Sequence, residues 1–316
     1  MEKSYNNKIP YNDGWKELSG KLPVELTNDY LFRALLQADE DTLRALVADL
    51  LHIKKTDIEE IEVTNPIILG ETIDDKEFHL DVNAYLNNSR NVNLEMQVVR
   101  QEGWIERSLL YACRSFDALS HGEDYMDAEG IIQISFTDFT LFEEAPEFYS
   151  TFKVINQKNP ELVYTEKFKI SNVNLKRIDL ATDEDKEYRI DAWARMFKAK
   201  SWEDLKMEAT KNPEIDKAVS SIWQLSDDEK IKEQIRRRVA NEHMYQRTWD
   251  RWAEKVEAAE AEANIAKAEA NIAKAEANEY RMKNDSLIEQ HEADQRRIEE
   301  LEARLKEQKS YDLQGE

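Results

Sequence analysis

Hydrophobic positions along this chain follow two different periods, and the change falls near residue 226. In the front part, segments with apolar residues three and four apart alternate with segments that switch apolar to polar one by one. These are the marks of helices and half-buried strands. Thr27 or Asn28 can cap a helix whose apolar positions are Leu31, Phe32, Leu35, Leu36, Leu43, Leu46, Val47, Leu50 and Leu51. Residues 58–69 and 76–86 are strand-like, 87–91 (NNSRN) a turn, and 92–98 a strand. A helix is predicted across 103–121, and GIIQISFTDF at 130–139 reads as a buried strand. FYSTFKVIN and LVYTEKFKISNVNLKRIDL extend the sheet. YRIDAWARMFKAKSWEDLKMEA is helical, with Trp193, Met196 and Phe197 in the core.

From Ser226 to Lys309 there is no glycine or proline, and Ala, Glu, Lys, Arg and Gln dominate. That composition specifies one very long helix or coiled coil. AEANIAK occurs at 261–267 and again at 268–274, and AEANEYR at 275–281 is a decayed copy. A seven-residue repeat is a heptad. A seam running from Trp249 to Leu305 places Lys255/Glu260, Glu262/Lys267, Glu269/Lys274, Glu276/Arg281 and Arg297/Glu302 as flanking pairs of opposite sign. A parallel in-register dimer needs such pairs. Arg304/Lys309 breaks the rule, and Asn284, His291 and Asp294 weaken the seam. A seam through Ile265 and Ile272 buries larger side chains but loses the charge pairs; a solvated single helix is the simpler alternative. The chain therefore divides into an extension at 1–25, a domain at 26–225 and a helical tail at 226–316, with a homo-oligomer expected through a parallel coiled coil over 249–308.

The hairpin carries the chemistry. Phe78, Leu80, Val82, Ala84 and Leu86 share one face of the first strand, and His79, Asp81, Asn83 and Tyr85 the other. In the second strand Val92, Leu94, Met96 and Val98 oppose Asn93, Glu95 and Gln97. Apolar faces must coincide in an antiparallel pair, so Asp81, Glu95 and Gln97 fall on one side. A five-residue loop places Asp81 opposite Gln97 and Asn83 opposite Glu95. Asp81 and Glu95 are then diagonal neighbours, with Cα atoms about 7–8 Å apart. Two carboxylates at that spacing can share a hard divalent cation such as Mg²⁺, which keeps several waters and takes few protein ligands. Acids and amides on the outside of a hairpin are otherwise ordinary solvated groups.

Composition narrows the classes. The 316 residues carry a formal charge of −22 and a single cysteine, Cys113. One cysteine excludes an internal disulfide and thiolate-rich metal sites. There is no apolar run of about 18 residues and no apolar signal core, so the cytoplasm is the expected location. No G-x-G, P-loop or H-E-x-x-H motif occurs. Residues 1–225 hold a net −16 and residues 226–316 a net −6, which opposes long-range attraction to nucleic acid. A DNA-binding surface must then be local: Arg100, Arg107 and Arg114 are one set, and KIKEQIRRR at 230–238 another, though a solvated helix face explains that run as well.

The segments LTNDYLFRALL (26–36), DDKEFHLDVNAY (74–85), VNLEMQ (92–97), ERSLLYACRSFDALSHGEDY (106–125) and IIQISFTDFTLF (131–142) together resemble the bacterial PD-(D/E)XK nuclease family transposases, related to the recombination-promoting nucleases, over about residues 26–210. The resemblance implies a restriction-endonuclease-like α/β core, a mixed sheet flanked by helices, followed here by the long C-terminal helix. It implies a metal-dependent DNA endonuclease using Mg²⁺, with Mn²⁺ as a substitute. Asp81 and Glu95 are the implied metal ligands. Gln97 stands where many superfamily members carry a catalytic lysine, and Asp29 matches the acidic residue of the first helix. Arg33 replaces the family's usual lysine and keeps its charge. Arg107 and Tyr111 match the second-helix motif, and with Arg100 are possible phosphate contacts. A nuclease fold kept as a catalytically weak or inactive scaffold, assembled by the tail, is the alternative, motivated by the acidity and by Gln97.

Overall fold

A computed structural model describes residues 9–65, 82–87, 90–116 and 124–312. Among the described residues are six strands in one mixed sheet, ordered β1-β2-β3-β4-β6-β5. β1 is Ile61–Val63, β2 Val82–Leu86, β3 Arg90–Gln97, β4 Gly130–Thr137, β5 Tyr149–Lys153 and β6 Phe168–Asn174. The β1–β2, β2–β3 and β5–β6 pairs are antiparallel, and β3–β4 and β4–β6 are parallel.

The first long helix of the sequence reading is two helices. α1 (Asp29–Ala38) is capped by Asn28, whose side chain accepts from the Leu31 N–H. α2 (Glu40–Leu50) is capped by Asp39, which accepts from the Thr42 N–H. A short acidic side chain that can satisfy the start of a new helix lets the chain bend there, although the apolar spacing continues through it. α3 (Trp104–Phe116) follows the hairpin. The helical stretch after β6 resolves into α4 (Asp183–Glu187), α5 (Ile190–Lys198) and α6 (Trp202–Lys211), the last begun by a Ser201–Asp204 capping box. α7 spans Pro213–Asp227, and α8 runs from Glu229 to Asp312.

Helices cover both faces of the sheet. On one, Phe32 of α1, Phe136 of β4 and Phe197 of α5 form an edge-to-face trio with centroids 5.4–5.6 Å apart, and all three rings are buried. On the other, α3 packs against β4 and β6. Trp104 meets Phe139 and Phe116 meets Phe168, so α3 lies along these strands in the opposite direction. The expected core residues Trp193, Met196 and Phe197 are fully or almost fully buried.

Two compact units divide the chain, one ending at Trp249 and one from Asp250 to Glu316. Ile231 and Ile235, in the first turns of α8, are buried in the core of the first unit. In the second unit, residues 261–304 are exposed, including Ile265, Ile272, Ile298 and Leu301. Among the described residues no helix is long and apolar enough to cross a membrane.

The Phe136 ring touches helices from both ends of the domain, so Phe136→Ala should lower the unfolding free energy by about 3–5 kcal/mol. Denaturant unfolding of the full chain measures it. A loss below 1 kcal/mol would mean that the trio does not hold α1 and α5 to the sheet.

Candidate active site on the covered face of the sheet

The hairpin pairs Val82 with Leu94, Asn83 with Asn93 and Leu86 with Arg90. Its connection is therefore residues 87–89, three residues instead of five, and Asn83 faces Asn93 instead of Glu95. Arg90 and Asn91, polar and turn-like in sequence, are strand residues here: Asn91 Nδ2 donates to Glu129 Oε2 at 2.7 Å. Asn87 takes the positive φ the turn requires. The two-residue shift preserves the faces, so Asn83, Asn93, Glu95 and Gln97 remain on one side. Asp81 lies outside the described residues. It immediately precedes Val82, whose partner Leu94 immediately precedes Glu95.

This polar side is not an outer surface. Glu95 is only 5% exposed and Asn93 3%, with α3 packed on the neighbouring strands β4 and β6. Ionised burial of a carboxylate is costly without a nearby cation or hydrogen bonds. Arg107 of α3 supplies the cation: its Nη2 is 3.4 Å from Glu95 Oε1. The guanidinium also donates to Gln101 Oε1 at 2.6 Å. It lies over the rings of Trp104 and Tyr111, at 5.4 and 5.2 Å. Positions 104, 107 and 111 share one stripe of a helix, so α3 delivers the arginine already braced by two aromatic faces.

The other expected residues are placed as follows. Gln97 is half-buried two residues along from Glu95 on the same face, and its Nε2 donates to Val99 O at 2.6 Å, which fixes the amide and leaves Oε1 as an acceptor. Arg100 donates to Thr140 O at 3.3 Å, beyond the end of β4. Asp29 enters on α1, on the opposite face of the sheet, and is held by Arg238 of α8, whose Nε is 3.0 Å from both carboxylate oxygens. Arg33 is 1% exposed and donates to Asn65 O. In the basic run at 230–238, Lys232 pairs with Asp227 and Glu229, and Arg236 and Arg237 pair with Glu233. The structure thus brings Arg107 to Glu95, with Tyr111 against the guanidinium and Gln97 two residues along the strand, and pairs Lys232, Arg236 and Arg237 with acids close by in sequence at the surface.

Neighbours of Glu95 that the sequence reading passed over lie on β4 and β6. In register with it are Ser135 and, beyond, Asn172; Asn93 is in register with Gln133. The signal was available: Gln133 and Ser135 alternate with Ile132, Ile134 and Phe136 within a strand read as uniformly buried.

A family model described as PD-(D/E)XK nuclease family transposase matches residues 26–251. The chain belongs to that family. No curated protein and no solved structure gave a match. Membership in the PD-(D/E)XK family carries a nuclease-type function and, in general, use of divalent metals. The match extends through the first turns of α8 and so includes Arg238. The donors around Glu95 suit such a metal: carboxylate, amide and hydroxyl oxygens, all hard. Among the described residues no three His, Cys, Asp or Glu side chains converge.

Removing the guanidinium strips Glu95 of a close cation. Arg107→Ala should cost about 1–3 kcal/mol at neutral pH, and markedly less when Glu95 is already Gln. A double-mutant cycle by denaturant unfolding gives the coupling. Equal losses in both backgrounds would show that Arg107 acts through its aromatic packing alone.

Proposed function

We propose that this chain is a divalent-metal-dependent DNA endonuclease of a mobile-element or recombination system. The observation that supports this most is a glutamate buried beside an arginine of α3, on the face where the family's acid belongs. Asp81 and Glu95 would hold Mg²⁺, or Mn²⁺ in its place. When bound, the ion supplies Lewis-acid polarisation of the scissile phosphate and a lowered pKa for a coordinated water.

The chain's own groups do the rest. Gln97, with Nε2 committed to Val99 O, offers Oε1 to hydrogen-bond and orient the attacking water. It carries no charge, so it does not offset negative charge as a lysine would. Arg107 balances Glu95 and presents a planar fork of donors that suits a phosphate oxygen. Tyr111 keeps that fork oriented by covering one of its faces. Arg100, tied to Thr140, is a second phosphate contact. Asp29 acts at a remove: its pairing with Arg238 ties the start of α1 to α8.

Self-association through α8 belongs to the same reading. An 84-residue helix gains by packing against a copy of itself, and the paired charges along 249–308 favour a parallel dimer on the alanine seam through Ala263, Ala266, Ala270 and Ala273. Sedimentation equilibrium of the full chain should give twice the monomer mass; a monomer at high concentration would remove the tail from the account.

A second reading, a nuclease fold retained as a non-catalytic scaffold, draws on the net −16 of residues 1–225 and on the basic run's internal pairing. Plasmid nicking separates the two. The endonuclease reading predicts Mg²⁺- or Mn²⁺-dependent nicking that falls at least ~100-fold in Asp81→Asn and in Glu95→Gln. Parent-level cleavage in both variants would remove the site assignment, and absence of cleavage by the parent would favour the scaffold.

A further inference from the structure

Glu95 stands at the end of a buried polar row. In a parallel ladder, residues in register project to the same side, with strands about 4.8 Å apart. Ser135 on β4 is therefore beside Glu95, and Asn172 on β6 is beside Ser135. Gln133 lies one step along the same face. Their exposures are 3%, 5% and 0%.

Each carries a buried polar atom with no hydrogen-bond partner among the described residues: Ser135 Oγ, Asn172 Oδ1 and Gln133 Nε2. Further along the same face this is not so. Thr137 donates its hydroxyl to Phe139 O at 3.0 Å, and Asn174 Nδ2 donates to Thr140 Oγ1 at 3.2 Å. On the α3 side, Ser108 donates its hydroxyl back to Ile105 O, and Ala112 has none. The unpartnered atoms are thus gathered around Glu95.

Fold stability does not call for them. A central strand covered by helices on both faces is ordinarily a continuous apolar run, as Ile132, Ile134 and Phe136 are on the other side. Buried polar groups lacking partners lower stability, and an apolar residue of similar shape is neutral or better. Polar groups that cost stability at one spot belong to a site.

We propose that Ser135 and Asn172 are positioning residues for Glu95. Together with internal water they form a hydrogen-bonded bracket across β4 and β6. It receives the Glu95 carboxylate from behind and keeps it oriented toward a divalent cation. Residues that hold a ligand in this way commonly change metal affinity 10–100-fold when removed. The inference rests on the reading of Glu95 as a metal ligand.

The test uses the full chain with Mn²⁺ as probe, comparing the parent with Ser135→Ala and Asn172→Ala. Two quantities are read: the melting temperature in chelator, and the Mn²⁺ dissociation constant by calorimetry. The bracket predicts that Ser135→Ala melts within about 3 °C of the parent or above it, while Mn²⁺ binds roughly tenfold or more weakly. Asn172→Ala, which removes more packing, should show the same weakening. Unchanged Mn²⁺ affinity in both variants would overturn the proposal. So would a metal-free melting temperature for Ser135→Ala more than about 6 °C below the parent, since that marks a structural hydroxyl. A parent chain that binds no Mn²⁺ would overturn the metal reading itself, and this bracket with it.

Discussion

The carboxylate of Glu95, buried beside Arg107 of α3, is the group that the rest of this domain is arranged around. A buried charge needs compensation, and its surroundings bear that mark. α3 carries an arginine at the position that reaches β3, and braces it between Trp104 and Tyr111. β4 and β6 turn serine and asparagine toward the same spot while their other faces hold Ile134, Phe136 and Val173. The sheet is thus covered on both sides, and among the described residues the α3 side alone carries a row of buried polar side chains among its apolar ones. The phenylalanine trio secures α1 and α5 to the apolar face, which leaves α3 to enclose a polar layer whose cost the rest of the core must offset.

The chain's acidity takes on a more specific meaning in this setting. At −22 overall it opposes long-range attraction to DNA. Arginines that could form a patch are drawn into internal work: Arg107 to Glu95, Arg33 to Asn65, Arg238 to Asp29. Arg107 and Arg238 are balanced by acids, and Arg33 and Arg100 are turned to backbone carbonyls. Binding would then depend on exchange of partners at the site more than on steering from a distance. Arg238 adds a structural consequence, because it fastens the first turns of the long helix to the start of α1.

Much of this was legible in the residues. The alternation of Asp81–Tyr85 and Asn93–Gln97 defined a polar face before any register was known, and the heptads at 261–281 announced the long helix. Three features were hidden, each for a physical reason. The break at Asp39 was masked because apolar spacing continues across it, while a capping carboxylate starts a new helix. The register slipped by two because Arg90 and Asn91 have turn chemistry yet pair as strand residues. Burial of the polar face could not be read from the hairpin alone, since it depends on elements outside it, α3 among them. The alternation of Gln133 and Ser135 was visible but is easily lost within a strand that is buried on both sides.

Fe²⁺-directed backbone cleavage tests the central claim most directly, because it locates a bound metal without relying on catalysis. Fe²⁺ replaces Mg²⁺ at hard oxygen sites, and with ascorbate and peroxide it cuts the polypeptide nearby. The account predicts fragments ending in the β2–β3 hairpin, the middle of β4 and the front of α3, suppressed by excess Mg²⁺ and absent in Glu95→Gln. Cleavage elsewhere in the chain, or an unchanged pattern in Glu95→Gln, would contradict it.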